Sequence, residues 1–328
     1  MTPLNCPACG TRAFFQTLTC GCGAALGFDP DARTFRTGAA LCANRDAIAC
    51  NWIADGAHAG ALCRSCAMTR VIPDLDVGDN AFLWAEAESA KRRSLFNLMA
   101  WGWFGPADPG ERPVFDLLAE DTATGEAQVT MGHADGVVTI NVAESDPAVR
   151  EARRADLDER LRTMTGHFRH ELGHFVFARL AGRAGFLSDF RALMGDERAD
   201  YAEALRRHYA QGPAPDWPQR CVTPYAAAHP HEDWAESFAH LLHLTDIVAT
   251  AAALDLSCPS LEAAGPGFDP YAAPEAEPML TIAVEFGLAL NAVNRAMGLH
   301  DVYPFVLTPL TREKLGFVRS HVARGPAA

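Results

Sequence analysis

The stretch HFRHELGHFVFARL (167–180) contains the pattern H-E-x-x-H, in which His170 and His174 lie four residues apart and Glu171 follows the first of them. Residues four apart on an α-helix lie on the same face, one turn from each other. Both imidazoles can therefore reach one metal ion, and Glu171 can accept the proton of a water molecule held there. The alternative is an ordinary helix with two partly exposed histidines, so support must come from the rest of the chain.

A second stretch, HPHEDWAESFAHLLHL (229–244), is the densest in further candidate ligands. A catalytic zinc ion keeps three protein ligands and one open position for water, so a third ligand has to come from another segment. Glu232 and Glu236 share one face of the predicted helix, where two like charges are unfavourable without a cation or a histidine between them. One carboxylate would bind zinc and the other would orient a ligand histidine. The spacing alone leaves open which glutamate does which.

Eight of the ten cysteines lie in the first 66 residues and form two sets of four. Closely spaced thiolates suit a tetrahedral zinc ion, and a site with four cysteines is closed, which predicts two structural zinc ions. The first set is Cys6, Cys9, Cys20 and Cys22, and the second set is Cys42, Cys50, Cys63 and Cys66. The remaining two, Cys221 and Cys258, are predicted to be buried free thiols.

The composition is that of a water-soluble globular chain of 328 residues, with 49% apolar and 21% charged residues. Its net charge of −13 makes it a poor partner for nucleic acid or for an anionic membrane. The start, MTPLNCPACG, lacks the basic and apolar segments of a signal peptide. We therefore expect a cytoplasmic protein with a peptide or protein as its partner; the sequence leaves the oligomeric state open.

The pattern of apolar residues predicts an α+β fold. Helical patterns cover 81–103, 186–210, 230–254, 277–297 and 309–324. VFDLLAED and GVVTINVAE, with turn signals at Thr124-Gly125 and Asp135-Gly136, predict a small antiparallel sheet. GVVTINV is either ordinary sheet or an edge strand able to pair with an extended peptide. A helical stretch that starts at Asp146-Pro147 is expected to continue into the H-E-x-x-H segment.

The two stretches together resemble the gluzincin metallopeptidases, in which HELGH is followed by a helix of the type EDWAESFA (232–239). The chain is similar to a bacterial family of zinc-binding metallopeptidases with an N-terminal zinc ribbon. The likeness lies in TINVAESD, GHFRHELGH, GDERADYAEALRRHY and HPHEDWAESFAH. It implies a zinc-ribbon module over 1–72, with two four-cysteine sites, and a mainly helical zincin-like domain over 73–328. It also implies that Glu232 is the third zinc ligand and that Glu236 supports His170. Because the gap from His174 to Glu232 is long, Glu236 remains the alternative ligand.

The function expected from this resemblance is zinc-assisted peptide hydrolysis. Zinc on His170, His174 and Glu232 would activate a water molecule, and Glu171 would act as general base. The donor to the oxyanion is open among three residues, with Tyr225 preferred because it lies on the loop before the Glu232 helix. The other two are His231 and His240. The alternative function is a catalytically inactive, zinc-stabilised module that binds a protein partner.

Overall fold

The computed structural model describes residues 4–326 apart from 57, 59 and 158. The chain forms two compact units, residues 1–168 and residues 169–328. The boundary between them falls inside the helix that carries the H-E-x-x-H motif. Helices and small sheets occur together, and Cys-rich clusters precede a mainly helical part, so the predicted α+β class is confirmed.

The first unit contains short strands and four α-helices among its described residues. The strands are β1 Leu4–Asn5, β2 Arg12–Ala13, β3 Gly27–Asp29, β4 Thr34–Arg36, β5 Thr69–Val71, β6 Val114–Leu118, β7 Asp121–Thr122, β8 Gly125–Glu126, β9 Gly132–Ala134 and β10 Val137–Asn141. The helices are α1 Arg45–Ile48, α2 Arg64–Ala67, α3 Asn80–Met99 and α4 Pro147–Asp156, with a 3-10 turn at Val142–Ser145.

The largest sheet of this unit is mixed, with the strand order β5-β6-β10-β9. β6 and β10 pair in parallel, so the prediction of an antiparallel sheet from these two segments is wrong for this pair. The antiparallel partner of β10 is β9, which the turn at Asp135-Gly136 folds back onto it. Because β9 takes that side, β10 lies between two strands, and the possibility that it is an edge strand is also excluded.

The Cys-rich segment shares a hydrophobic core with α3. The ring of Phe96 on α3 lies 5.2 Å from that of Phe15 and 5.7 Å from that of Phe28, measured between centroids. All three side chains are buried. Packing therefore places α3 in the same core as the Cys-rich segment, whereas the predicted domain boundary at 72/73 separates the two. That boundary stays a prediction.

The second unit is helical among its described residues. Its helices are the main part of α5 Met164–Leu180, then α6 Phe186–Met194, α7 Tyr201–Gln211, α8 Trp217–Arg220, α9 Pro230–Ala253, α10 Pro259–Ala264, α11 Ala276–Ala296 and α12 Pro309–Val322, with a 3-10 turn at Tyr225–Ala227. The two longest, α9 and α11, pack against each other and against α12. The predicted helical segments contain all of these helices to within one residue, except the short α8 and α10. The segment 186–210, predicted as helical throughout, forms two helices, α6 and α7.

The helical stretch after Asp146 is broken in two, against the prediction of one continuous helix. α4 ends at Asp156 and α5 begins at Met164. Thr163 causes the new start, because its hydroxyl accepts the backbone N–H of Gly166 at 2.9 Å in the manner of an N-cap. The motif helix therefore begins one turn before His167.

One helix among the described residues, α11, has the length and composition of a membrane-crossing segment, with a mean hydropathy of 1.3 over its most apolar window. About 39% of that window is buried inside the protein. Length and composition alone do not distinguish a core helix from a spanning one. The expectation that the protein binds no membrane stays a prediction.

A buried carboxylate fixes the entry to α5 within the first unit. Glu144 is 1% exposed, accepts a hydrogen bond from His167 Nε2 at 2.8 Å and pairs with the guanidinium groups of Arg162 and Arg153. Burial by itself raises the pKa of Glu144, but the hydrogen bonds from His167 and Arg162 outweigh it and lower that pKa well below its usual range. His167 thus pairs with Glu144 in the first turn of α5.

We predict that Glu144→Gln lowers the free energy of unfolding by about 2 kcal/mol at pH 7, because it removes the buried charge that accepts hydrogen bonds from His167, Arg162 and Arg153. Arg153 keeps Glu120 and Arg162 keeps Glu159 as partners.

The pKa of Glu144 is lower in the folded protein than in the unfolded chain. The ionised carboxylate therefore stabilises the fold above the unfolded pKa, and this stabilisation is lost as the pH falls toward the folded pKa. The difference between variant and wild type should therefore shrink below the unfolded pKa of about 4.3. Urea unfolding from pH 7 to about pH 3 measures it. Glu151→Gln, at an exposed carboxylate paired with Arg154, is the control; an equal effect of both variants would refute the prediction.

Candidate functional site

The first cysteine set lies together near the start of the chain. The Sγ atoms of Cys6 and Cys22 are 3.9 Å apart, and those of Cys9 and Cys20 are 3.6 Å apart. The four sulfurs lie within 4.8 Å of one another. Cys6 and Cys20 are buried, whereas Cys9 and Cys22 are exposed. Four thiols at this spacing, none in a disulfide, form the ligand set that a tetrahedral zinc ion requires.

The second set, Cys42, Cys50, Cys63 and Cys66, forms an equally tight cluster whose members are all buried. The backbone N–H of Cys63 donates to Cys42 Sγ at 3.2 Å, as expected around a zinc–thiolate site. Four thiolates on one zinc ion carry a net negative charge, which a buried site has to offset. Arg92 is buried, acts electrostatically on Cys50, and has one terminal nitrogen, Nη1, with no hydrogen-bond partner among the described residues. The cluster and its buried cation fit a zinc ion.

The two histidines of the motif helix lie side by side on one face of α5. His170 Nε2 and His174 Nε2 are 3.1 Å apart. His170 Nδ1 lies 2.7 Å from Glu236 Oε1, and since a carboxylate accepts, Nδ1 carries the proton. Nε2 of His170 therefore has a free lone pair directed toward His174. This is the tautomer that a metal ligand requires.

Glu232 on α9 completes a cluster of three ligand-type side chains. Its Oε2 lies 3.0 Å from His170 Nε2, and its Oε1 lies 3.6 Å from His174 Nε2. The three donor atoms lie within 4.8 Å of one another. The carboxylate is 0% exposed, yet Oε2 has no hydrogen bond among the described residues. A buried carboxylate oxygen without a partner is costly, and a cation at this position would satisfy it.

Electrostatics within the cluster favour a positive charge between the helices. Burial raises the pKa of Glu232, but the neighbouring imidazoles of His170 and His174 lower it overall, below its usual range. Burial lowers the pKa of His170, but Glu232 and Glu236 together raise it well above its usual value. Two largely buried carboxylates thus favour a positive charge beside His170. A divalent ion would supply this charge and match theirs more fully.

Glu236 contacts His170 at Nδ1, the ring nitrogen that does not belong to the ligand cluster, and both of its carboxylate oxygens accept a hydrogen bond. One carboxylate oxygen accepts from His170, and the other accepts from Thr223 Oγ1 at 2.7 Å. Both oxygens of Glu236 are therefore engaged, whereas Glu232 has one oxygen without a hydrogen bond among the described residues. This difference supports Glu232 as the ligand and Glu236 as the residue that orients His170. The alternative assignment of the two glutamates is less compatible with the geometry.

Gly173 allows the two helices to approach closely enough for these contacts. A Cβ at this position would lie 3.1 Å from Cα of Ala235 and 3.2 Å from Cδ1 of Phe238, both on α9. The carbonyl of Gly173 also accepts the indole N–H of Trp234 at 2.8 Å. The absence of a side chain in the middle of H-E-L-G-H therefore sets the distance between the histidines and the glutamates.

Glu171, the predicted general base, is 7% exposed, and its Oε2 has no hydrogen-bond partner among the described residues. Its charge acts on the hydroxyl of Tyr201. A buried carboxylate oxygen without a partner remains available to accept a proton from an incoming molecule.

The three candidate oxyanion donors differ in position. The ring of Tyr225 lies 5.9 Å from that of His170, and burial raises the pKa of its hydroxyl, which therefore stays protonated. The ring of His231 packs 4.7 Å from Phe177 and 6.5 Å from His174, and burial lowers its pKa to about 4.

His240 is directed elsewhere. Its Nδ1 lies 2.8 Å from the hydroxyl of Tyr303, and its ring packs on Phe305. Trp234 and Phe238, on the same helix, are fully buried. Of the two remaining cysteines, Cys221 is buried as predicted, whereas Cys258 is only partly buried, so that part of the prediction is wrong.

Sequence reasoning assigned no role to three residues that shape the site: Gly173, Thr223 and Tyr201. Tyr201 begins α7, and its hydroxyl donates to Glu232 Oε1 at 2.7 Å. It lies in the segment GDERADYAEALRRHY, but no fixed spacing connects it to the motif. Gly173 is visible in the sequence as a glycine inside a helical pattern, which is a signal of close packing.

The comparisons with known proteins agree with this geometry. A family described as "Putative zinc-binding metallo-peptidase" matches residues 80–321, and a zinc-ribbon domain family matches residues 31–77. The chain therefore belongs to this zinc-binding metallopeptidase family and carries an N-terminal zinc ribbon, as the sequence predicted. The zinc-ribbon match contains the second cysteine set, and the first set precedes it.

Three relatives are each 39% identical to this chain over 332 residues, which is 98% of this chain and 95% of the relative. They come from Mycobacterium bovis (strain ATCC BAA-935 / AF2122/97) and from Mycobacterium tuberculosis strains CDC 1551 / Oshkosh and ATCC 25618 / H37Rv. Each is described as an uncharacterized protein. No solved structure matches.

Glu232→Gln and Glu236→Gln test the assignment of the two carboxylates. We expect about three zinc ions per wild-type chain and about two in Glu232→Gln, because that variant lacks a ligand to the third ion. Glu236→Gln should still bind three at saturation, with an affinity for the third about 10–100-fold weaker. Native mass spectrometry with zinc titration measures both. Loss of the third ion from Glu236→Gln, with retention in Glu232→Gln, would reverse the assignment.

Gly173→Ala tests the close approach of α5 and α9. The change gains up to about 1 kcal/mol of helix propensity but forces a methyl group against Ala235 and Phe238, which costs about 1–3 kcal/mol. We expect a net destabilisation in thermal unfolding and weaker binding of the third zinc ion. The control is Gly287→Ala on α11, where the nearest atom to a new Cβ is 3.8 Å away, and it should be neutral or stabilising. A stabilised Gly173→Ala protein would contradict the prediction.

Proposed function

We propose that the protein is a zinc-dependent peptidase of the gluzincin type, with its active site on α5 and α9. One observation carries this proposal: three buried or half-buried ligand-type side chains converge, and a buried glutamate beside them has an oxygen without a hydrogen-bond partner among the described residues. A purely structural site, closed by its protein ligands, has no physical need for such a glutamate. Membership in a zinc-binding metallopeptidase family supports the same interpretation.

His170, His174 and Glu232 are the proposed ligands. His170 donates its Nδ1 proton to Glu236, which keeps Nε2 available and fixes the ring. Glu232 contributes a buried negative charge. A zinc ion bound here would lower the pKa of a coordinated water toward neutrality and polarise a peptide carbonyl. Three protein ligands leave a position open, as catalysis requires.

Glu171 is the proposed general base. It accepts a proton from the attacking water and passes this proton to the leaving amine. Its buried carboxylate suits the task because no group among the described residues occupies Oε2. Tyr225 is the proposed donor to the oxyanion that develops on the substrate, since its hydroxyl stays protonated at neutral pH and its ring lies near His170.

The two four-cysteine clusters are proposed to hold structural zinc, which gives one catalytic and two structural ions per chain. Closed sites of this kind stabilise the fold and take no part in the chemistry. Ten free cysteines are consistent with a reducing compartment, so we propose a cytoplasmic protein that acts on peptides or proteins. The net charge of −13 disfavours a nucleic-acid partner.

Glu171→Gln tests the mechanism. Gln has the same shape but cannot accept the proton, so we expect cleavage of a peptide library to fall by about 100- to 10,000-fold with an unchanged zinc count. Mass spectrometry of the library after incubation gives the rate, and native mass spectrometry gives the zinc count.

Full activity of Glu171→Gln would refute the general-base role. A wild-type protein that binds the third zinc ion but cleaves no peptide or candidate protein would favour the alternative, an inactive binding module. Glu203→Gln is the matched control, because Glu203 is an exposed carboxylate paired with Arg206 on α7.

A further inference from the structure

The hydroxyl of Tyr201 reaches the buried carboxylate of Glu232 from the solvent side. It donates to Oε1 at 2.7 Å, and Glu232 itself has no exposed surface. Tyr201 is 42% exposed and stands at the first position of α7, a helix whose residues are mostly exposed. Its side chain therefore covers one oxygen of Glu232 without being part of the core.

The backbone around Tyr201 is held in place by the start of α9. His229 Nε2 donates to the carbonyl of Ala199 at 3.0 Å, and the ring of His229 packs edge-on against Tyr201 at 5.2 Å. Asp200 caps α7 by accepting the backbone N–H of Glu203 at 2.9 Å. The beginnings of α7 and α9 are thus tied together at Ala199 and Tyr201. The position of its hydroxyl is determined by this local framework.

The two oxygens of Glu232 consequently have different surroundings. Oε1 has a hydrogen bond from Tyr201, whereas Oε2 lies 3.0 Å from His170 Nε2 and has no hydrogen bond among the described residues. We propose that Tyr201 is a positioning residue that makes Glu232 bind the metal through Oε2 alone. Holding Oε1 in a hydrogen bond leaves a metal position open for water or substrate. This inference rests on the proposed function only in that the cluster binds a metal.

Tyr225 plays a different part in this arrangement. Its ring lies over His170, and its hydroxyl interacts with that of Tyr201, but it makes no hydrogen bond to Glu232 among the described contacts. Removing the Tyr225 hydroxyl should therefore leave the binding mode of Glu232 in place. Removing the Tyr201 hydroxyl should release Oε1.

Tyr201→Phe tests the proposal, because it keeps the ring against His229 and removes only the hydroxyl. The protein is prepared with zinc in the two four-cysteine sites, the third metal is removed with a mild chelator, and cobalt(II) is added. Zinc is silent in visible spectra, so the absorption reports only the cobalt site. Chelator competition gives the cobalt affinity in the same samples.

We expect Tyr201→Phe to bind cobalt about 10–100-fold more weakly than wild type. Its visible absorption should also weaken, because a second carboxylate oxygen raises the coordination number. Tyr209→Phe removes an exposed hydroxyl from the same helix and should match wild type in both measurements.

A Tyr201→Phe protein with wild-type affinity and spectrum overturns the proposal. So does a weaker affinity with a wild-type spectrum, because the hydroxyl would then stabilise the cluster without setting how Glu232 binds. If the histidine–glutamate cluster of the wild-type protein takes up neither cobalt nor zinc, the proposed function is overturned together with the role of Tyr201. If the cluster binds metal and only the Tyr201→Phe result disagrees, the role of Tyr201 alone is overturned.

Discussion

The site depends on the close approach of α5 and α9 at Gly173. α9 comes so close to this residue that a Cβ at Gly173 would lie 3.1 Å from Cα of Ala235 and 3.2 Å from the ring of Phe238. The Trp234 indole adds a hydrogen bond to the Gly173 carbonyl. The contacts between the imidazoles of α5 and the carboxylates of α9 depend on this distance, because these side chains meet only when the two backbones are this close. The glycine lowers intrinsic helix stability by about 1 kcal/mol, and packing against α9 offsets that loss.

Two like charges, the carboxylates of Glu232 and Glu236, are largely buried together, which favours a cation between the two helices. Glu232 and Glu236 are taken out of water together, and the hydrogen bonds of His170, Thr223 and Tyr201 satisfy three of their four oxygens. The fourth oxygen, Oε2 of Glu232, has no hydrogen bond among the described residues and lies 3.0 Å from Nε2 of His170, which can also act as a ligand. An unsatisfied buried carboxylate oxygen is destabilising in the free protein, so binding of a divalent ion and stability of this region should be coupled.

Much of the site follows from the sequence, because its signals are local. The pairs His170/His174 and Glu232/Glu236 lie one helical turn apart, and a periodic pattern determines which face each pair occupies. The cysteine sets were equally recognisable from their spacing. Contacts between segments that are far apart in the sequence could not be recognised from spacing. Tyr201 is 31 residues from Glu232, and no periodicity connects them. Strand pairing likewise depends on a long connection, so the parallel alignment of β6 and β10 could not be read from either strand.

The most direct test of the metal centre is anomalous diffraction at the zinc absorption edge from crystals of the full chain. We predict one zinc peak in each four-cysteine cluster and a further peak bounded by His170 Nε2, His174 Nε2 and Glu232 Oε2. Zinc in the cysteine clusters alone, with the side chains of α5 and α9 in the same positions and no density between them, would contradict this prediction. A peak coordinated by Glu236 in place of Glu232 would keep the metal centre but overturn the ligand assignment.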